Sequence, residues 1–432
     1  MTHTCTHEHG AAATEPVDDS RRGLLSQSAL AAAAMITAPA WLPRMGFARA
    51  SSSGRDVLVH VFLRGAADGL SIVPPYGDPE YYLRRPTLAI PLPGQLNGAI
   101  PLPGTSLFGL APSAAPLLTA FNDGKLLVVH ATGLADPSRS HFDAQRYMEL
   151  GTTSAFATSV RTGWIGRHLQ TSMPVGSGLL RGMALQDGLP VALNGGPASL
   201  PVKDPDGFVI PGQASTATAR RTRLENMYAG AAAPLGPAAD ASFATIDLLN
   251  TVDFVGYAPA NAAVYPTSNF GKQLKTTATM IKAGIGLEVV SIDYTGWDLH
   301  NQLGPVVGAM ATKVSDLATS LAAFYQDLKG NFLRTVTVVV MSEFGRRAYE
   351  NASGGTDHGH GNCMLVMGGR VVGGQVLANW PGLGTAQLDN GDLQVTIDHR
   401  DILAELVLKR LGNANLAAVF PNYTPTIRDI AY

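Results

Sequence analysis

The stretch LRTVTVVVMSEFGR, Leu333–Arg346, decides the fold class. From Thr335 to Met341 every residue is β-branched or apolar, without the polar alternation of a strand that has one face in water. A strand that is apolar on both faces is typical of a parallel sheet covered by helices on each side. Two polar residues, Glu343 and Arg346, follow at the end of this predicted strand.

Four other short apolar runs have the same character and are predicted to be strands of the same sheet. They are Val57–Leu63, Leu126–His130, Leu287–Tyr294 and Asn362–Gly369. Helical patterns lie between them or follow them: 138–150, capped by Ser138 or Ser140, then 307–328, the longest, and 398–412, ended by Gly412. Alternating strands and helices predict an α/β fold, a doubly wound and mostly parallel sheet with helices on both faces.

The first fifty residues are predicted to be a twin-arginine signal peptide, and residues 51–432 a single α/β domain. Arg21 and Arg22 precede a weakly apolar run that ends at the small-x-small site Ala48-Arg49-Ala50. The run is too polar for a stable membrane anchor. We therefore expect cleavage, the twin-arginine export machinery as a partner, and a periplasmic or secreted bacterial protein.

The middle of the domain, about residues 176–269, is richer in Ala, Gly, Pro and Thr and has few clear strands. We expect an irregular or helical insertion there, including a helix in TARRTRLENMYAG, residues 218–230. The formal net charge of the 432 residues is -2 and no basic run is present, which argues against a nucleic-acid partner. Cleavage would remove Cys5 and leave Cys363 alone, so no internal disulfide is expected.

Polar residues follow nearly every predicted strand, and ligands of parallel sheets bind beyond the carboxyl ends of the strands. The candidates are Asp68, Ser138, Arg139, Ser140, His141, Asp298, His300, Glu343, Arg346, Asp357, His358 and His360. Carboxylates together with imidazoles suit zinc, manganese or iron, whereas carboxylates alone suit magnesium or calcium. Two such ions sharing carboxylates would hold a phosphoryl-type group.

Each candidate also has a purely structural interpretation. Asp68 precedes Gly69 and suits a turn, and Ser138 and Ser140 suit helix caps. Asp298 and His300 could hold a loop, and Glu343 and Arg346 could form a salt bridge. His60, His130 and His168 have no partner in the sequence and are predicted to be structural. As a set, however, the candidates favour a functional site, because so many of them fall at strand ends.

Five motifs occur in a fixed order behind the leader: VFLRGAADGLS (61–71), DPSRSHFDAQRYME (136–149), GWDLHNQ (296–302), SEFGR (342–346) and GGTDHGHGN (354–362). As a set they resemble the bacterial family called domain of unknown function 1501, over essentially the whole mature chain. That family resembles a branch of the alkaline phosphatase and sulfatase superfamily. The resemblance implies a doubly wound sheet and a two-metal site that hydrolyses phosphate or sulfate esters.

The resemblance also implies roles for individual residues. Asp68 resembles a metal-bridging aspartate, and Asp298 with His300 resembles the aspartate–histidine pair of one metal. Glu343 stands where the superfamily has an aspartate ligand. His358 or His360 resembles the late histidine ligand, and Asp357 is the weakest candidate ligand of that loop.

The chain departs from the superfamily pattern at the nucleophile. Ala135 stands where sulfatases have the cysteine that becomes the catalytic aldehyde, which rules out that chemistry. The nucleophile is then Ser138, Ser140, a metal-activated water, or absent. Arg139 or Arg346 would hold the anionic group of the substrate, because a guanidinium matches tetrahedral oxyanions.

The sequence thus favours an exported hydrolase of phosphate or sulfate esters with two divalent ions, which we expect to be zinc, manganese or magnesium. The alternative is a non-catalytic exported protein that binds a ligand or partner on a degenerate hydrolase scaffold. A redox or copper role for the loop histidines is disfavoured, because soft ligands are absent apart from Cys363 and the methionines.

Overall fold

The computed structural model describes residues 56–174 and 178–432. The predicted leader, with Arg21, Arg22 and the 48–50 cleavage site, lies outside the described residues. None of the helices in the described part of the chain is both long and apolar enough to cross a membrane.

The described strands alternate with helices along most of the chain. The strands are β1 Val57–Leu63, β2 Ile100–Pro101, β3 Gly109–Leu110, β4 Leu126–Gly133, β5 Gly182–Ala184, β6 Ser199–Pro201, β7 Val289–Tyr294, β8 Val336–Ser342, β9 Asn362–Gly368, β10 Gln375–Ala378 and β11 Ile397–Asp398. The α-helices are α1 Gly69–Ile72, α2 Pro79–Arg84, α3 Leu118–Asn122, α4 His141–Leu150, α5 Trp164–Thr171, α6 Ala217–Tyr228, α7 Leu235–Asn250, α8 Asn269–Ala283, α9 Ala309–Leu328, α10 His399–Lys409 and α11 Leu416–Val419. Short 3-10 helices occupy Pro112–Leu117, Val191–Leu193, Ala214–Thr216, Leu333–Thr335 and Thr385–Gln387.

Nine strands form one mixed, mostly parallel sheet, which confirms the predicted fold class. The order is β10-β4-β9-β8-β1-β7-β5-β6, with β11 beside β4. β9 is the exception to the parallel arrangement, since it runs antiparallel to both β4 and β8. Its first residue, Asn362, therefore lies at the edge where β8 ends. The whole connection between β8 and β9 is consequently held at that edge.

The two faces of the sheet are buried in two separate cores. Along β1, Val57, Val59 and Val61 pack into one core, and Leu58 and Phe62 pack into the other. Helices α8 and α9 cover the first face, and α4, α5 and α10 cover the second. This arrangement explains why the strands lack polar alternation, because side chains on both faces exclude water.

The segment around residues 176–269 combines sheet and helix. β5 and β6 lie near its start and extend the main sheet beyond β7. Helices α6 and α7 then pack on each other around a small core of Ile210, Tyr228, Ala239, Phe243 and Ile246. Two strands of three residues each are too short to give a readable sequence pattern, and for that reason the sequence shows only the helices.

Candidate metal centre

Four side chains from three separate segments converge at the edge where the parallel strands end. His141 is the first residue of α4, which follows β4. Asp298 and His300 lie in the loop after β7, and His358 lies in the connection that leads into β9. His141, Asp298 and His358 each offer one ligand atom, and these atoms all lie within 4.8 Å of one another. His300 Nε2 lies 3.0 Å from both His358 Nε2 and Asp298 Oδ1.

Each of the three imidazoles is held through Nδ1 by an oxygen atom. His141 Nδ1 donates to Glu343 Oε1 (2.8 Å), His358 Nδ1 to the main-chain oxygen of Arg139 (3.0 Å), and His300 Nδ1 to Asp357 Oδ1 (3.3 Å). A carbonyl or ionised carboxylate only accepts, so the proton of a neutral ring sits on Nδ1. The Nε2 lone pairs of all three rings are therefore turned toward Asp298.

With neutral rings, the arrangement would bring acceptor atoms together with no proton between them. His358 Nε2 lies 3.2 Å from Asp298 Oδ1, and His141 Nε2 lies 3.6 Å from Asp298 Oδ2. His141 Nε2 is buried and finds no hydrogen-bond partner among the residues that the structure describes. Tetrahedral ligands at about 2.0–2.1 Å from zinc lie about 3.3–3.4 Å from one another, close to these separations. The residues thus fit a divalent cation, which would relieve the repulsion between the lone pairs.

Glu343 lies behind His141. The glutamate is fully buried, and its Oε1 also accepts from the side chain of Gln145 and the main-chain nitrogen of Gly65, each at 2.8 Å. Burial raises the pKa of Glu343, but the hydrogen bonds from His141 and Gln145 outweigh it and the pKa lies below its ordinary value. The hydrogen bond to Glu343 raises the pKa of His141. Glu343 thus contacts His141 on the Nδ1 side, away from the His141 Nε2 atom that faces Asp298, whereas the sequence predicts a direct metal ligand.

Arg346 holds Asp298 in place. Its guanidinium donates to Asp298 Oδ1 (2.7 Å) and to the main-chain oxygens of Ala66 (2.7 Å), Gly65 (2.7 Å) and Thr356 (3.0 Å). Burial raises the pKa of Asp298, but the hydrogen bond from Arg346 and the positive charge of its guanidinium outweigh burial and lower the pKa to about 2. Because Arg346 is 1% exposed, its guanidinium is used within the protein and is not presented to a substrate, contrary to the sequence-based expectation.

Two predicted ligands point elsewhere. Asp68 is buried in a two-point ion pair with Arg85, with oxygen–nitrogen distances of 2.5 and 3.0 Å. His360 uses Nε2 toward the main-chain oxygen of Leu134 (2.8 Å) and Nδ1 toward Asp389 (3.1 Å). Both nitrogens of His360 and both oxygens of Asp68 are therefore engaged away from the cluster.

The remaining predicted residues surround the cluster without joining it. Ser140 caps α4, because its hydroxyl accepts from the main-chain nitrogen of Asp143 (3.4 Å). The hydroxyl of Ser138 accepts from the main-chain nitrogen of Ser140 (3.3 Å). Arg139 donates through Nε to the buried Asp392 (2.8 Å) and keeps 36% of its side chain exposed. The predicted cap at Ser140 is confirmed.

A family model described as a protein of unknown function (DUF1501) matches residues 128–408, about two thirds of the chain. The chain belongs to the DUF1501 family. The matched range includes all four converging residues of the centre, from His141 to His358. No curated protein matches the sequence.

Several solved structures resemble the fold of this DUF1501 protein at a distance. One is a protein in the alkaline phosphatase superfamily from Vibrio parahaemolyticus, at 11% identity and a TM-score of 0.39, covering 89% of this chain and 74% of that one. Another is the C-terminal periplasmic domain of EcEptC from Escherichia coli, at 11% identity and a TM-score of 0.35, covering 89% of this chain and 92% of that one. A third is the PsFucS1 sulfatase from Pseudoalteromonas sp., at 10% identity and a TM-score of 0.35, covering 93% of this chain and 73% of that one. Similarity at this level assigns no residue role.

The glycines of the DUF1501 protein's ligand loop permit close contact between main chains. A Cβ on Gly355 would lie 2.1 Å from the main-chain oxygen of His300, and one on Gly359 would lie 2.4 Å from the main-chain carbon of Arg346. Neither of these two glycines has a positive φ. Their role is thus to let the loop pack against the segments that carry Asp298 and Glu343, so that His358 reaches its partners.

His141 follows a strand end in the sequence but is not among the predicted metal ligands. Two signals could have identified it. It is the first residue of a helix capped by Ser140, and it directly follows the segment after β4, so it faces the same edge as Asp298. The ring stacks on Phe344, with centroids 5.0 Å apart, which adds an apolar support on one side.

Proposed function

We propose that this DUF1501 protein hydrolyses phosphate or sulfate esters with a single divalent ion bound by His141, Asp298, His300 and His358. The observation that carries the proposal is the convergence of three Nε2 atoms on the carboxylate of Asp298. Three nitrogens and a carboxylate suit zinc or manganese better than magnesium, which prefers oxygen ligands. One ion is proposed in place of the two implied by the superfamily, because Asp68 is bound to Arg85.

A divalent ion bound there would supply Lewis-acid chemistry, lowering the pKa of a coordinated water and polarising an ester oxygen. The protein's own contribution is to hold the ligands. Glu343 keeps the His141 proton on Nδ1, and Arg346 fixes the Asp298 carboxylate. The centre is also accessible to a substrate, because 46% of the Asp298 side chain and 38% of the His300 side chain are exposed.

Water is the proposed nucleophile. The hydroxyls of Ser138 and Ser140 accept hydrogen bonds from main-chain nitrogens near the start of α4. Arg139 remains the candidate for holding the substrate's anionic group, since it is partly exposed and its main-chain oxygen contacts His358.

Metal analysis combined with a hydrolysis screen tests the proposal. Full-length protein should contain about one zinc or manganese ion, and p-nitrophenyl phosphate, bis-p-nitrophenyl phosphate and p-nitrophenyl sulfate are suitable substrates. Asp298→Asn should lose both the metal and the activity. Asp187→Asn, which alters an exposed aspartate in a surface ion pair, is the matched control and should keep both. Activity that persists in Asp298→Asn would rule out the proposed centre.

One observation favours the alternative of a non-catalytic binding protein. The hydroxyls of Ser138 and Ser140, the two serines predicted as nucleophiles, accept hydrogen bonds from the main chain near the start of α4. A protein that binds one metal ion tightly and yet hydrolyses none of the three substrate types would support this alternative over the hydrolase.

We also propose export through the twin-arginine machinery, on the basis of Arg21 and Arg22 in the sequence. The proposed partners are that machinery and an ester substrate, with no nucleic acid. Cell fractionation of the full-length chain tests export. An Arg21→Lys, Arg22→Lys double variant should stay in the cytoplasm, whereas the control Arg44→Lys should be exported.

A further inference from the structure

A cleft of about 540 Å³ lies at the edge of the sheet opposite the candidate metal centre. Lys125 directly precedes β4, Arg334 lies just before β8, and Arg370 follows the end of the antiparallel β9. These positions mark the edge where the parallel strands begin. The cleft is therefore separated from His358 and its partners by the length of the strands.

The cleft is strongly basic, although the whole chain carries a formal net charge of -2. Among the described residues that line it, four are basic, Lys125, Lys329, Arg334 and Arg370, and one, Asp123, has an acidic side chain. Such a local excess of positive charge attracts anions and concentrates them at the cleft.

Part of this charge is already neutralised. Lys329 forms an ion pair with Asp123 at 2.8 Å, and Tyr325 donates to the same carboxylate oxygen at 2.6 Å. The hydrogen bond from Lys329, and after it the one from Tyr325, lower the pKa of Asp123, so its carboxylate stays ionised and paired. Lys125 donates to the main-chain oxygen of Gly369 (3.0 Å), a neutral group that does not cancel its charge.

The guanidinium groups of Arg334 and Arg370 are available to a ligand. Within residues 56–174 and 178–432, no hydrogen bond or ion pair involves the guanidinium of Arg334 or Arg370. The charge of Arg370 acts on Asp56, but that buried carboxylate is already paired with Arg410. Arg410 also donates to the main-chain oxygen of Tyr432, which lines the cleft.

We propose that this cleft is a second binding site, for a small ligand that carries two or more phosphate or sulfate groups. A guanidinium offers a planar set of donors that matches two oxygens of a tetrahedral oxyanion, and two free guanidinia suit two such groups. The volume lies in the range of small-molecule sites. The site involves no residue of the candidate metal centre and does not rest on the proposed hydrolysis.

Isothermal titration of the full chain with pyrophosphate, inorganic phosphate and sulfate at low ionic strength tests the site. Pyrophosphate should bind with one-to-one stoichiometry and more tightly than either single anion, and added salt should weaken it. Arg334→Gln and Arg370→Gln should each weaken pyrophosphate binding about tenfold, the order expected for one charge-assisted contact. The double variant should show no measurable binding.

Two control variants distinguish this cleft from anion binding elsewhere on the protein. Arg161→Gln removes an exposed arginine outside the cleft and should leave pyrophosphate affinity within twofold of wild type. His358→Ala disrupts the candidate metal centre and should also leave it unchanged. No binding by the wild type, normal binding by the double variant, or binding lost in His358→Ala would each overturn the proposal. None of these results bears on ester hydrolysis.

Discussion

Glu343→Gln gives the sharpest test of how the centre is held. The substitution keeps the size of the side chain and removes its charge. The amide oxygen can still accept from His141 Nδ1, Gln145 and the main chain of Gly65. The amide nitrogen would face the hydroxyl of Ser342, whose proton can go to the main-chain oxygen of Leu63 at 2.6 Å. The fold should therefore tolerate the change.

Metal binding should weaken even though no direct ligand changes. A charge-assisted hydrogen bond contributes about 1.5–3 kcal/mol and a neutral one about 0.5–1.5 kcal/mol. The difference, on the order of 1–2 kcal/mol, corresponds to a metal affinity about 5-fold to 30-fold lower. This overlaps the range of about 10-fold to 100-fold known for outer carboxylates that orient a histidine ligand.

Competition with a chromophoric chelator at neutral pH measures the zinc affinity of each variant, and circular dichroism checks the fold. Glu405→Gln is the matched control, since Glu405 is equally buried and accepts from main-chain nitrogens of Arg428 and Ala431. It should alter stability without changing zinc affinity. Wild-type zinc affinity in Glu343→Gln would refute the orienting role. Complete loss of zinc by a folded variant would instead make Glu343 a direct ligand.

Three further outcomes follow from the structure. His358→Ala should abolish stoichiometric zinc binding while His360→Ala retains it, as measured by metal analysis after dialysis; equal losses would contradict the placement of the two rings. Asp68→Asn should keep the metal but lower the free energy of unfolding in urea by about 3–5 kcal/mol, because Arg85 would remain buried without its partner; metal loss in the folded variant would indicate that Asp68 is a ligand. Burial raises the pKa of Asp327, but its hydrogen bonds outweigh burial and hold the pKa below the ordinary value of 3.8. The hydrogen bond from Lys282 has the largest lowering effect. A lowered pKa stabilises the fold above the unfolded value of about 3.9 and ceases to do so as pH falls through the folded value. Urea unfolding of Asp327→Asn should therefore show a loss of about 2–4 kcal/mol at pH 7 that shrinks toward pH 3; a constant difference would contradict this.

The architecture was largely predictable, because burial on both faces leaves a plain signal in the sequence. β1 has the predicted bounds, Val57–Leu63, and β8 is displaced by one residue from the predicted 335–341. The direction of β9 was not predictable. An apolar run such as Asn362–Gly368 indicates a buried strand, but which neighbours it pairs with is decided by tertiary contacts.

The candidate site was predictable as a region, whereas the role of each side chain was not. Asp298, His300 and His358 all reach the centre, because the polar ends of strands meet at one edge. Asp68 also follows a strand, yet both of its oxygens are bound by Arg85, the residue that follows α2. The spacing of residues in the sequence cannot reveal this partner. His358 and His360 are two residues apart in one motif, and the acceptors that separate their roles, Arg139 and Leu134, belong to a distant loop.

The four side chains of the centre come from three segments that are remote from one another in the chain. An ion held by all of them would act as a cross-link between the ends of β4, β7 and β8. Such a cross-link can form only after the sheet has assembled, so metal binding and folding belong to one thermodynamic cycle. Each tenfold rise in free metal above the dissociation constant would then add about 1.4 kcal/mol to stability, and the melting temperature would report occupancy even if no substrate were known.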